Sequence, residues 1–373
     1  MTDRMQIALV SDYFLPRRGG IELHLRDLAL ELTSRGCEVR IHTTTPGPNH
    51  VAGICVVRTP AQLAPGLGFA ISPHLLSTIR GELAAGQYSV LHVHMSIVSP
   101  LGYAAILAGR ELGLPTVVTF HSVLGFTARV LHFLDRLTGW SAWPLALTGV
   151  SELVASELRR AGSGVQTTTL PNGVDREFWR LPRHQDSGTI LVVSAMRLNR
   201  RKRPMALLRA FRSAQAQSSG RRMKLFIAGQ GPEVRRMNRY IARYDLQNDV
   251  TLLGFQPREA LRDLYSRSHF FVLPSIKEAF GIAALEARCA ALPVAAMRAA
   301  GCTDFLASQE TPQLLADTDD ELARNIARLA TDDELRERLA VPDLGLARFA
   351  WPEVVEAHLD CYRRAEFTIA HLR

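Results

Sequence analysis

Two cations five residues apart, Arg197 and Lys202, follow a short apolar run that ends at Ser194. At the mouth of a strand such a pair can clamp a diphosphate, because each cation makes charge-assisted hydrogen bonds to its oxygens. The surrounding Arg200, Arg201 and Arg203 also fit a solvated basic loop. Farther along, Glu278-Ala279-Phe280-Gly281-Ile282 leads into an apolar helix that carries Glu286. The amides near Phe280, Gly281 and Ile282 fall at the helix start. There, unpaired N–H groups and the positive end of the helix dipole can hold hydroxyls or phosphate. Glu286 lies eight residues beyond Glu278, or about 12 Å at helical rise. That is wider than the ~5–9.5 Å between two carboxylates acting on one glycosidic bond. The two glutamates therefore read as holding two ends of an extended ligand, and Glu286, in apolar surroundings, needs a partner.

The first strand is followed by Arg17-Arg18-Gly19-Gly20-Ile21-Glu22. Glycines at a helix start let backbone approach phosphate closely, although G-x-G-x-x-G, the dinucleotide fingerprint, is absent. Arg17 and Arg18, with Ser122 in the loop Ser122–Phe126, are candidates for binding an acceptor that carries its own phosphate. His121 stands at the carboxyl end of the run Thr116–Phe120, where ligands bind in open α/β sheets. Metal ligation by the neighbouring His92 and His94 is not expected, on the reading that the two point to opposite faces of their strand. The acidic run Asp317-Thr318-Asp319-Asp320-Glu321 is read as a helix cap rather than a metal site. Phe133–Leu147, with Trp140 and Trp143, is read as a buried helix in preference to one lying on a membrane.

These residues need strands and helices to place them, and the chain supplies an alternation. Gln6–Val10, Val39–Thr43, Ile54–Val57, Val90–Val93, Thr116–Phe120, Leu147–Val150 and Thr167–Leu170 are strand-like, with helical periodicity between several of them. A second series follows at Thr189–Ser194, Leu225–Ala228, Val250–Leu253 and Phe270–Leu273, and a long amphipathic stretch, Pro352–Ala365, closes the chain. Such alternation predicts parallel sheets covered by helices on both faces. Pro171-Asn172-Gly173 and the polar 181–187 mark the break. The domains are therefore set at 1–182, completed by a C-terminal helix over 351–373, and at 183–350.

With 373 residues and 47% apolar content, two real cores are affordable and wholesale disorder is excluded. Five scattered cysteines without C-x-x-C suggest neither a disulfide framework nor a zinc knuckle. No run reaches the ~18 apolar residues of a membrane span, and Ile7–Val10 is too short for a signal-peptide core. A cytoplasmic chain is expected, peripheral at the inner membrane face if its acceptor is a lipid. The net charge of +8 suits an anionic partner. Nucleic acid is set aside, because no recognition module or interleaved aromatics accompany the charge.

Taken together, the motifs resemble glycosyltransferase family 4, retaining enzymes of the GT-B fold. The resemblance rests on Gly19-Gly20-Ile21-Glu22, Thr119-Phe120-His121-Ser122, Pro171-Asn172-Gly173-Val174-Asp175, Arg197 with Lys202, Gly229-Gln230-Gly231-Pro232 and the Glu278–Glu286 element, in the family's order. Val10–Pro16 and His121–Phe126 look like the branch that attaches N-acetylglucosamine to phosphatidylinositol, and more distantly like bacterial phosphatidylinositol mannosyltransferases. The resemblance implies two doubly wound Rossmann-like domains facing across a cleft. It also implies that Gly19, Gly20 and Gly231 line the donor site, that Arg197 and Lys202 neutralise the donor diphosphate, that Glu278 with the amides of Phe280, Gly281 and Ile282 holds sugar hydroxyls, that Glu286 takes the ribose, and that His121 meets the sugar near its anomeric end. Ala300-Gly301-Cys302-Thr303-Asp304 departs from the family's frequent Gly-Gly-x-x-Glu. The expected donor is UDP-N-acetylglucosamine, a substrate rather than a cofactor, with no metal and no cofactor. The expected acceptor is an inositol phospholipid or another small hydroxylated molecule. The alternatives are a GDP-mannose-dependent enzyme of the same fold and a non-catalytic nucleotide-sugar binder.

Overall fold

The computed structural model of the protein describes residues 4–17, 19–63, 70–162, 166–180, 182, 188–218, 220–307, 312–340 and 344–370. The chain forms two compact units, Met1–Gly173 with Trp351–Arg373, and Val174–Ala350. The segment after Gly173, which the sequence break had grouped with the first domain, packs within the second unit. Val174 bridges to Ala350, and Trp179 lies against Tyr265.

The strands of the first unit are β1 (Gln6–Val10), β2 (Glu38–Thr43), β3 (His50–Val51), β4 (Ile54–Arg58), β7 (Val90–Met95), β8 (Thr116–Phe120), β9 (Leu145–Gly149) and β10 (Thr167–Thr169), of which the central β1, β7 and β8 are short, largely apolar runs buried on both faces and the outer β3 and β10 are more exposed. A separate hairpin pairs β5 (Gln62–Leu63) with β6 (Ala70–Ile71). The sheet order is β10-β9-β8-β7-β1-β2-β4-β3, parallel except for β3. Helices α1 (Gly20–Ser34), α2 (Leu75–Ala85), α3 (Pro100–Leu112), α4 (Phe126–Thr138) and α5 (Glu152–Ala161) connect the strands. Because β1 pairs with β2 on one side and β7 on the other, the chain winds both ways from β1. The loops after β1 and β7 thus open the crevice where such sheets bind ligands.

The second unit repeats the plan. It begins with the short helix α6 (Arg176–Trp179). Strands β11 (Ile190–Ala195), β12 (Met223–Ala228), β13 (Val250–Gly254), β14 (Phe270–Leu273), β15 (Val294–Met297) and β16 (Leu314–Ala316) alternate with α7 (Pro204–Gln217), α8 (Val234–Arg243), α9 (Arg258–Arg267), α10 (Ile282–Cys289), α11 (Thr303–Leu306), α12 (Asp319–Thr331) and α13 (Asp333–Leu339). The order is β13-β12-β11-β14-β15-β16, all parallel. Its winding reverses at β11 and β14, so the loops after those strands carry the crevice. The last helix, α14 (Trp351–Ala370), returns to the first unit, where Val354, Val355, Cys361, Tyr362 and Ala365 join the core of Ile7, Leu9, Leu25 and Leu28.

Two expectations are corrected. Phe133–Leu147 is not one buried helix. α4 ends at Thr138, Gly139 turns the chain at φ +60°, and 145–149 is a strand. The only buried residue of α4 is Asp135. Periodicity identified a helix there, but a hydrophobic stripe does not say which way it faces. His92 and His94 share a face of β7, with ring centroids 4.0 Å apart. Cβ direction alternates residue by residue, so residues two apart coincide.

Candidate functional site

The loop after β11 is built by local polar turns. Asn199 caps the short 3-10 turn Arg200–Lys202, its side chain accepting from the Lys202 amide at 3.0 Å. Arg203 then takes a left-handed conformation, φ +57°. It is held there by its guanidinium, which donates to the Pro274 carbonyl and to Asp319. Ser275 Oγ donates to the Lys202 carbonyl, so the β11 loop is tied to the β14 loop at the point where the winding reverses. Across that seam Lys202 Nζ donates to Glu278 Oε2 at 2.5 Å, with both side chains still partly open to solvent. Residues 76 apart in sequence are thus brought into one ion pair by topology alone. Arg197 is exposed on the same loop.

Gly231 is explained by packing. A Cβ there would sit 2.2 Å from the Leu198 carbonyl, and one on Gly229 would sit 1.8 Å from that of Met196. Only glycines allow the loop after β12 to pass under the β11 loop, where Leu198 donates to the Gln230 carbonyl and Glu233 donates back to Leu198. Gly231 therefore shapes the loop that presents Arg197.

Helix α10 starts from Gly281, whose φ of +87° suits glycine, and no side chain caps it. Among the described residues no acceptor meets the amides of Phe280, Gly281, Ile282 and Ala283. A hypothetical Cβ on Gly281 would lie 3.5 Å from Glu278 Cγ, so the carboxylate and these donors are neighbours. The Phe280 ring packs on Phe305 and Phe349, which leaves only its backbone for a ligand. The departing loop at Ala300–Asp304 is anchored here, with the Gly301 amide donating to the Glu278 carbonyl at 2.8 Å. Glu286 is buried on α10, with Arg258 Nε 3.8 Å from Oε1. The needed partner is thus a cation from α9, a residue the sequence did not single out. The acidic run is occupied by local contacts. Thr318 caps α12 by accepting from the Glu321 amide, Glu321 accepts from the Asp317 amide, and Asp317 and Asp319 pair with Arg298 and Arg203.

In the first unit, α1 begins at Gly20 after an extended Gly19 with no capping side chain. Arg17 lies over the Tyr13 ring and 3.2 Å from Glu22. Arg18 lies outside the described residues. Ser122 is buried just beyond β8. Behind these loops is a cluster that sequence reasoning did not assemble. His94 Nδ1 and His121 Nε2 share a hydrogen bond at 2.9 Å, and His92 bonds Tyr362 on one side and Thr119 on the other. His24 of α1 stacks on Trp351 at 5.4 Å and lies 5.7 Å from His121. Burial and the neighbouring imidazoles hold His92 and His94 well below the ordinary range. Burial first, then His358, lowers His121 to about 3. All three are neutral, so one proton is shared along the His94–His121 bond. His94 Nε2 has no partner among the described residues, and a buried bare lone pair is less costly than a buried orphan N–H. His94 therefore donates from Nδ1, and His121 keeps its own proton on Nδ1.

Two further residues shape this end of the sheet. Asp12, after β1, accepts from the Leu101 and Gly102 amides at the start of α3. Burial nevertheless pushes its carboxyl up to about 6. Gly173 makes room for Trp351, since a Cβ there would lie 2.4 Å from the indole. The Pro-Asn-Gly motif thus seats the ring on which His24 stacks.

Two family models match the chain. Glycosyltransferase Family 4 matches residues 18–178, and Glycosyl transferases group 1 matches residues 175–341. The chain is similar to a component of the phosphatidylinositol N-acetylglucosaminyltransferase of Homo sapiens, 29% identical over 80% of this chain and 63% of that protein. The matched part thus spans less than two thirds of that relative. It is also similar to a D-inositol 3-phosphate glycosyltransferase of Rhodococcus erythropolis, 26% identical over 93% of this chain and 87% of that one. Sucrose-phosphate synthase from Thermosynechococcus elongatus shares the fold at a TM-score of 0.75 and 22% identity, covering 97% of this chain and 99% of that one. Anabaena Alr3699/HepE in complex with UDP-glucose also has a TM-score of 0.75, at 18% identity, covering 97% of this chain and 100% of that one. Among the described residues no helix is long and apolar enough to cross a membrane.

Proposed function

Because the chain belongs to the GT-B glycosyltransferases, a family 4 domain followed by a group 1 domain, we propose that it moves N-acetylglucosamine from UDP-N-acetylglucosamine to a hydroxyl of an inositol phospholipid or a related small acceptor, with retention at the anomeric carbon. One observation carries the reading. The Lys202–Glu278 pair stands at the reversal point of the second sheet, beside amides at the start of α10 that have no acceptor among the described residues. A nucleoside diphosphate leaving a sugar gains negative charge, and preorganised cations and N–H donors stabilise that charge. When the donor arrives, Lys202 turns from Glu278 to the diphosphate together with Arg197. Glu278, released, accepts from sugar hydroxyls. Glu286, held by Arg258, accepts from the ribose. Within the first unit, the resemblance to the family gives His121, with its Nδ1 proton, and the uncapped start of α1 at Gly20 as that unit's own ligand-binding groups.

In the step itself the bond from the anomeric carbon to the phosphate oxygen breaks, and the acceptor oxygen bonds the same face. The departing phosphate takes the acceptor's proton. The fixed cations supply the charge a divalent ion would otherwise bring, so the reading includes no metal. The names of the human relative and of the Rhodococcus protein support an inositol-type acceptor. The reading is tested by thermal shift against UDP-N-acetylglucosamine, UDP-glucose and GDP-mannose. Stabilisation by the first above the others is expected, and stabilisation by GDP-mannose alone replaces the donor with a guanine nucleotide sugar.

A further inference from the structure

Helix α4 is turned inside out. A helix on a globular unit ordinarily buries its apolar stripe, yet the buried residue of α4 is Asp135, which accepts from the Ser141 amide and hydroxyl. The other end is held by Glu157 of α5, which accepts from the Leu124 and Gly125 amides. Polar contacts at the two ends thus fasten the helix, and its apolar side chains face out. Phe126, Phe133 and Leu137 are 74%, 61% and 68% exposed, with Val130 and Leu134 also exposed. At 100° per residue Phe126, Val130, Phe133 and Leu137 fall within about 60° of arc, with Leu134 beside them.

The charge is arranged on one shoulder of that stripe. Arg129, His132 and Arg136 occupy an adjacent arc of about 60°, and all three are exposed. Arg129 and His132 line an open recess of about 420 Å³ with Arg160 of α5. The half-buried Trp140 and Trp143 follow the helix, Trp143 with the Arg110 guanidinium over its ring. The helix has 13 residues, about 20 Å at helical rise, too short to cross the ~30 Å hydrocarbon layer but suited to lie along its surface.

We propose that α4 is an interfacial docking helix for an anionic bilayer. Phe126, Val130, Phe133, Leu134 and Leu137 enter the acyl boundary, and Arg129, Arg136 and Arg160 meet lipid phosphates. An apolar face with a basic shoulder is the pattern that such surfaces bind. A net charge of +8 attracts an anionic surface and opposes self-association. The helix starts at Phe126, the last residue of the loop Ser122–Phe126 proposed for the acceptor, so docking there brings a lipid headgroup to that loop. The docking itself does not depend on the glycosyl-transfer reading.

The test is cosedimentation of the full chain with vesicles of phosphatidylcholine, alone or mixed with phosphatidylserine. Nucleotide-sugar thermal shift is run in parallel, so that the two readings can fail separately. The protein is expected to pellet with the mixed vesicles and to be released by salt. F133Q/L137Q lowers partitioning by at least about tenfold, and R129E/R136E does the same. All these side chains are exposed, so both variants should melt with the unchanged protein, and K202A should bind vesicles normally. No binding to mixed vesicles, or unchanged binding by F133Q/L137Q, overturns the proposal. So does a dimer that F133Q/L137Q dissociates while neither form binds vesicles, which assigns the face to a second copy of the chain.

Discussion

Acid should unfold the first unit well before it protonates ordinary surface carboxylates. His92, His94, His121 and His358 are buried, and burial keeps each imidazole neutral to low pH, His121 to about 3 and His358 to about 4. In the unfolded chain each protonates near 6.5. Below that pH the unfolded state binds more protons, so the stability these groups contribute is complete above about 6.5 and is lost as the pH falls toward the folded values. At pH 5.5 the loss is about 1.4 kcal/mol for each group, or about 6 kcal/mol for the four. Asp12 acts in the opposite sense. Its folded carboxyl titrates at about 6, above the unfolded value, so protonation favours folding and returns about 1 kcal/mol at that pH. A net loss of about 5 kcal/mol is a large share of the ~5–15 kcal/mol that holds a domain folded. Urea unfolding at pH 7.5 and 5.5, read by hydrogen exchange of the β7 and β8 amides, should show that loss. A change below about 1 kcal/mol would mean that the cluster is hydrated or already protonated, and would refute the reasoning.

Gly173→Ala forces a methyl into the Trp351 ring and should cost about 2–3 kcal/mol, seen as a melting temperature lowered by roughly 5–10 °C; an unchanged melt would show that the indole moves freely. Arg17→Ala should raise the acceptor KM several-fold and leave donor hydrolysis unchanged; an equal fall in both would assign Arg17 to the donor.

Much of the fold was legible because buried parallel strands read as short apolar runs. Ile190–Ala195 and Phe270–Leu273, for example, lie where the pattern put strands. Lys202, Glu278 and Gly281 were legible as types at a spacing. Their union was not, because it depends on β11 and β14 being neighbours across an intervening pair of strands. The histidine cluster escaped for two reasons. Its members come from α1, β7, the loop after β8 and α14, and the parity of His92 and His94 was misjudged. Arg258 escaped because a surface-type arginine on α9 carries no mark of the buried Glu286 it meets. The outward face of α4 escaped because periodicity gives a stripe without a direction. The Pro-Asn-Gly motif was visible, but its physical reason, the Trp351 ring against Gly173, lies at the far end of the chain.

The central claim, that Arg197 and Lys202 clamp a nucleotide-sugar diphosphate for transfer, is tested most directly by one assay. UDP-N-acetylglucosamine labelled in the sugar is incubated with phosphatidylinositol vesicles in excess EDTA, with the unchanged protein, Arg197→Ala and Lys202→Ala side by side. The account predicts labelled lipid from the unchanged protein despite the chelator, and a kcat/KM lowered by roughly 10²–10³-fold in each variant at unchanged melting temperature, the scale of losing one preorganised charge-stabilising group. Activity in both variants within a few-fold of the unchanged protein would contradict it, as would transfer abolished by EDTA and restored by Mn²⁺.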